Sequence, residues 1–330
     1  MSYPPNESHA GIRSTVTPRS RSARATERAG RFVRGARPGT SGARGAVVAA
    51  VAASLLVLTG CTAPHAQTTP ATDHTAQASP SVTAVSPAQA SVVGQKVTIT
   101  GSDLQNVKKV TFGSTSVSVI SASQGKVVAQ APAAANYQPS TVNLKLVGQS
   151  GKTLVSKPDA LEYTAAGGVA AQMQYALAHW QNYNTAQYGD LNSVGGDCAN
   201  FVSQTLIARG WTMNDDWYNH GAASDWSPAW GYVPAMDDYF AENAAGLGLE
   251  KLDFSQASRA KVALGDIAVF DWDADGSPDH VEVVDRITKV DGQYKIDLAS
   301  HNDDYAYRDL DDTITTQHPG ATGHFWHLTR

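Results

Sequence analysis

The spacing of apolar residues divides this 330-residue chain into stretches of different character. An apolar run over residues 46–58 follows Arg44 and is too short to span a bilayer comfortably. Residues 62–80 are Thr, Ala, Pro, Gln and Ser with almost no large apolar side chains, the composition of a disordered tether. Over residues 81–164, β-branched and polar residues alternate, as in Val97-Thr98-Ile99-Thr100, Val117-Ser118-Val119-Ile120 and Val142-Asn143-Leu144-Lys145-Leu146. A period of two, broken by Gly and Pro, predicts a small all-β sandwich.

After Gly167-Gly168 the period changes. Met173, Ala176, Leu177 and Trp180 share one helical face. A second helix is predicted over residues 199–209, with Asp197 as its N-cap, Gly210 as its stop, and Val202 and Leu206 on the side of Cys198. Residues 265–270, 280–285 and 294–299 read as strands, and the last runs into Ser300-His301-Asn302. The expected architecture is multidomain, an immunoglobulin-like sandwich followed by an α+β domain.

The N-terminal segment bears on location. Residues 1–45 hold nine arginines, and the apolar run closes on Leu58-Thr59-Gly60-Cys61, which resembles a bacterial lipobox. That resemblance implies cleavage before a diacylated Cys61 and a lipoprotein on the outer face of the cytoplasmic membrane; an uncleaved anchor or a secreted chain is the alternative. The basic arm then lies on the cytoplasmic side and is removed, so it is not read as a nucleic-acid site. Taking its nine arginines and two glutamates from the 25 Lys+Arg and 30 Asp+Glu of the chain leaves 16 against 28, a net charge near −12. So acidic a chain is poorly suited to bind nucleic acid or anionic lipid by charge alone.

With Cys61 lipidated, Cys198 is the only free thiol of the two cysteines. In the first turn of a helix the macrodipole favours its thiolate. Free cysteines are also commonly buried and inert, so both readings stand locally. The wider order favours chemistry: a helix bearing cysteine, a strand entered at His280 and a strand ending in polar residues follow the chain order of papain-like cysteine hydrolases.

Two family resemblances follow. Val85-Ser86-Pro87, Gly94, Val97 to Leu104, Val110-Thr111-Phe112-Gly113, Ala131-Pro132 and Leu161-Glu162-Tyr163 resemble the IPT/TIG family. Gly196-Asp197-Cys198-Ala199-Asn200-Phe201-Val202-Ser203-Gln204, Trp226-Ser227-Pro228-Ala229-Trp230, Gly265-Asp266-Ile267, Asp279-His280-Val281 and Ser300-His301-Asn302-Asp303 resemble an amidase-domain family of bacterial surface proteins, related to NlpC-type and CHAP-type cell-wall hydrolases. The resemblance implies a papain-like fold, with Cys198 as nucleophile, His280 as general base and then acid, and His301 as orienting residue, Asn302 being the alternative. It implies cell-wall peptide as substrate and no required cofactor. The Cys198 N–H is the expected oxyanion donor. The expected division is 1–61 basic arm and lipoprotein signal, 62–80 linker, 81–165 sandwich and 170–330 hydrolase domain.

Two motifs compete for other meanings. Asp271, Asp273, Asp275, Asp279 and Glu282 satisfy a calcium-loop spacing, although strands rather than helices flank it. A bound calcium would brace the hairpin that carries His280; the alternative is an acidic solvated turn. Trp226 and Trp230 are candidate groove walls for substrate, or core. Two functions remain open: a membrane-tethered cysteine amidase or peptidase, and a noncatalytic, calcium-stabilised surface module that binds wall peptide or a protein partner.

Overall fold

A computed structural model describes residues 79–330. The basic arm, the lipidation site Cys61 and nearly all of the expected linker lie outside the described residues. No helix among the described residues is long and apolar enough to cross a membrane.

The alternating segment folds as eight strands: β1 (Ser81–Ser86), β2 (Gln89–Ser91), β3 (Gln95–Ser102), β4 (Val107–Phe112), β5 (Thr115–Ala122), β6 (Lys126–Ala131), β7 (Ser140–Gly148) and β8 (Thr153–Thr164). They run in the order β1-β3-β6-β5-β4-β7-β8-β2, antiparallel except where β2 joins β8. The period of two is realised in burial, because Val97 and Ile99 of β3 and Leu144 and Leu146 of β7 are fully enclosed while their neighbours face outward.

A mixed α/β unit follows. Its helices are α1 (Gly168–His179), α2 (Thr185–Tyr188), α3 (Cys198–Arg209), α4 (Pro228–Gly231), α5 (Val233–Leu247), α6 (Gln256–Arg259) and α7 (Leu310–Asp312). Its strands are β9 (Leu249–Asp253), β10 (Ile267–Asp271), β11 (His280–Val290), β12 (Gln293–Ser300), β13 (Tyr305–Asp309) and β14 (Thr322–Leu328). The antiparallel sheet has the order β13-β12-β11-β10-β14-β9. Strand β11 is central, and buried valines reach cores on both of its faces. Val281 and Val283 join the core that includes Phe201, Val202 and Leu206 of α3, while Val284 packs with Phe270 and Leu298.

The predicted α1 face is only partly enclosed: Met173 and Ala176 are buried, and Leu177 and Trp180 lie at its margin. Helix α3 ends where predicted, at Gly210 in the left-handed region with φ 112°, its N–H returning to the last turn. Almost every α3 side chain from Cys198 to Leu206 is buried, so its polar residues need partners. Aromatic residues supply them. Trp230 Nε1 donates to Asn200 Oδ1 at 2.7 Å, Trp217 Nε1 donates to Ser203 Oγ at 3.0 Å, and Ser203 Oγ donates to the Trp230 carbonyl at 2.8 Å.

The sandwich touches the α/β unit through one turn. Tyr137 OH donates to the Asp285 carbonyl on β11, and Gln174 Nε2 of α1 donates to the Tyr137 carbonyl at 2.8 Å.

Candidate active site

Cys198 opens α3 and is almost buried, at 5% exposure. Asp197 precedes it but does not cap the helix through its side chain. Its carboxylate turns inward instead. Oδ1 accepts the Leu191 N–H at 2.7 Å and the Asn200 amide at 2.8 Å, and Oδ2 meets His301 Nδ1. Asn302 takes over the capping, since its Oδ1 accepts the N–H groups of Asp197 at 2.6 Å and Cys198 at 2.9 Å. Two expectations change as a result. Asn302 is not an orienter of His280, and the Cys198 N–H expected to face an oxyanion is already donated.

His280 begins β11 opposite Phe270 of β10. Its Nε2 faces Tyr305 OH at 3.2 Å, Ser300 Oγ at 3.2 Å and Glu282 Oε1 at 3.4 Å. Burial opposes its charged form. The charge and hydrogen bond of Cys198, then those of Glu282, outweigh burial and raise His280 from 6.5 to about 10. The imidazole of His280 is therefore held in its charged form well above its ordinary range.

Glu282 is the residue that sequence reading assigned to another role. It stands two positions after His280 on the same strand, and period two puts both on one face. Its side chain is wholly enclosed; Oε1 accepts from Tyr305 OH, and Oε2 has no hydrogen-bond partner. Burial and the neighbouring carboxylate both push the Tyr305 hydroxyl far above its ordinary value, so it remains a donor. The His-x-Glu spacing was visible in the sequence. Tyr305 was not, because it arrives through the β12–β13 turn, where Asn302 and Asp303 adopt positive φ.

His301 does not reach His280. It is fully buried, its Nδ1 on Asp197, its Nε2 at 2.8 Å from the His179 carbonyl, and its ring stacked on Tyr183 with centroids 3.6 Å apart. It fixes the turn ahead of α3 rather than the imidazole of β11.

The acidic loop brings only part of its expected set together. Asp271, Asp273 and Asp275 place one carboxylate oxygen each within 4.8 Å of one another. Asp279 Oδ2 instead accepts the Trp272 N–H at 2.7 Å, and Glu282 lies in the interior beside His280. The full five-residue calcium set therefore does not fit this loop.

A groove of about 520 Å³ opens over Cys198, lined by Val194, Trp226, Tyr232 and Pro278 among others. Trp226 is half-buried and forms one wall. Trp230 is fully buried against Tyr188 and Trp217, so it is core and not a groove wall.

A nucleophile candidate that lines a groove, with an enclosed imidazole and carboxylate behind it, defines a candidate acyl-transfer centre. Residues 168–326 match the family model described as "Putative amidase domain", and residues 80–163 match the model described as "IPT/TIG domain", in the order expected from the sequence. No curated protein matches the chain. Among solved structures, the chain is similar to a mixed-linkage glucan utilization protein, SGBP-B, from Bacteroides ovatus, in complex with a heptasaccharide. The identity is 17% over 23% of this chain and 20% of that one, with a TM-score of 0.18. An auxiliary nutrient binding protein from Bacteroides ovatus is 20% identical over 27% of this chain and 22% of that one, with a TM-score of 0.21. The chain thus spans about a fifth of these structures, and likenesses at these scores carry no argument.

Proposed function

We propose that this protein is a cysteine amide hydrolase of papain-like arrangement, lipid-anchored through Cys61 outside the bacterial cytoplasmic membrane and acting on cell-wall peptides. The observation that carries the reading is the enclosed Cys198–His280–Glu282 series, whose cysteine lines the groove. The match to an amidase domain supports hydrolysis of an amide.

In this reading the Cys198 thiolate attacks the amide carbonyl and forms a C–S bond. The C–N bond breaks as imidazolium of His280 passes its proton to the leaving amine. Neutral His280 then takes a proton from water, hydroxide displaces sulfur from the acyl carbon, and the thiolate–imidazolium pair returns. Glu282 holds the imidazole in register and favours its charged form; Tyr305 and Ser300 fix the ring from the same side. The Cys198 N–H serves the oxyanion once the substrate carbonyl replaces Asn302 Oδ1.

That occupied N–H is also the one observation favouring a noncatalytic reading, in which the same groove holds wall peptide without cleaving it. Purified wall peptide incubated with wild type, Cys198→Ala and His280→Ala separates the two. New amine termini with wild type alone support hydrolysis, and equal release by Cys198→Ala rejects it.

A further inference from the structure

Large apolar side chains more than half exposed are few among the described residues: Ile120, Val194, Tyr232 and Val290. Two of these, Val194 at 62% and Tyr232 at 58%, face the groove that ends on Cys198. Exposed apolar surface concentrated beside a candidate nucleophile marks a binding surface rather than scattered exposure. Trp226 stands with them as a fixed wall. Its ring lies so close to Gly231 that a Cβ there would come within 2.9 Å of it.

The charge of the groove is equally selective. Its lining carries no lysine, arginine or histidine, and apart from the proposed Cys198 thiolate its one formal charge is the Asp279 carboxylate. A substrate carboxylate entering here would lose water and find no cation in exchange. An apolar side chain would gain burial against Trp226, Tyr232 and Val194.

The position of His280 decides which part of the substrate the groove receives. The leaving amine must lie at His280, which protonates it. The groove wall includes Cys198 but not His280, Glu282 or Tyr305, so it takes the acyl part that stays on sulfur. Resting on the cysteine-hydrolase reading above, we propose that this groove is an acyl-side specificity site that accepts a bulky apolar side chain next to the scissile carbonyl and rejects one bearing a carboxylate. Trp226 and Tyr232 are its specificity-determining residues.

The test uses matched peptidyl chloromethyl ketones carrying phenylalanine or glutamate beside the ketone, with iodoacetamide as a reagent that has no side chain to place. Cys198 sulfur displaces chloride in each case, and mass spectrometry follows the adduct. The phenylalanine probe is expected to react roughly tenfold or more faster than the glutamate probe, each rate taken relative to iodoacetamide. Tyr232→Ala is expected to narrow that ratio. Equal probe rates, with iodoacetamide still alkylating Cys198 below pH 7, would overturn the groove assignment and leave the hydrolase reading standing. A Cys198 inert even to iodoacetamide would overturn the hydrolase reading and the groove assignment with it.

Discussion

Glu282 Oε1 lies 3.4 Å from His280 Nε2 with both side chains enclosed in the sheet. Since Glu282 Oε2 has no partner of its own, the charge of this carboxylate is directed at the imidazole and at Tyr305. A buried carboxylate so placed favours imidazolium, and with it the thiolate at Cys198.

Glu282→Gln is therefore expected to keep the shape of the site and lower the affinity of His280 for its proton. If the proposed hydrolysis runs through His280, its raised value is expected to set the alkaline limb in wild type near pH 10. In the variant that limb moves down by about 1–3 pH units, the effect of one close opposite charge. The same shift has a stability consequence. The native state keeps the His280 proton where the unfolded chain has released it, so this part of the stability is complete below pH 6.5 and falls as pH rises toward 10. Rates of Cys198 alkylation across pH, with urea melts at pH 6 and 10, check both statements; an unmoved limb removes Glu282 from the site.

Asn302 caps α3 and occupies the Cys198 N–H at once. Its φ of 63° lies in the left-handed region, so glycine is the substitution that removes the side chain without backbone strain. Asn302→Gly is expected to cost about 1–3 kcal/mol of stability from the two lost hydrogen bonds to the Asp197 and Cys198 N–H groups. Amide hydrolysis is expected to hold or rise, because the carbonyl no longer competes for that N–H. Loss of turnover with unchanged alkylation would instead make Asn302 a group that contacts the substrate.

Much of this architecture was legible in the chain, and the exceptions have physical causes. Alternation at Val97, Ile99, Leu144 and Leu146 and the stop at Gly210 are local signals, and local signals survive folding. Cys198 opens a helix and His280 opens a strand, the placements that the sequence predicts for them. The partner of His280 was misread because three polar residues, Glu282, His301 and Asn302, compete for one role and only the third dimension separates them. The bulge between Val284 and Arg286 and that between Leu298 and Ser300 set where β12 ends, and no sequence pattern announces a bulge. For Trp230 the sequence leaves groove wall and core both open, and the indole N–H that answers the buried Asn200 makes it core.

His301 is expected to act on stability. It is enclosed with Asp197 and stacked on Tyr183, and deleting one member of a buried pair strands the other. His301→Ala should cost roughly 3–5 kcal/mol and lower the melting temperature accordingly. The pH limb set by His280 should stay in place in the protein that remains folded. A limb that moves with His301 would return it to the catalytic series.

Asp285 offers a separate check at the seam between sandwich and α/β unit. Its backbone carbonyl receives Tyr137 OH, its Oδ2 receives the Tyr307 N–H at 2.7 Å, and its Oδ1 is buried without a partner. Burial chiefly, with help from Asp297 and Glu282, raises it from 3.8 to about 7, against the opposing pull of the Tyr307 N–H and Arg286. The native state thus holds a proton that the unfolded chain has already lost between pH 3.8 and 7. Stability from this group falls as pH rises through that window and is lowest above it. Asp285→Asn cannot titrate, so its stability relative to wild type should improve by a few kcal/mol between pH 4 and pH 8. Parallel urea melts of the two proteins at both pH values measure that difference, and a constant difference would mean that Asp285 stays ionised against Tyr137 and Tyr307.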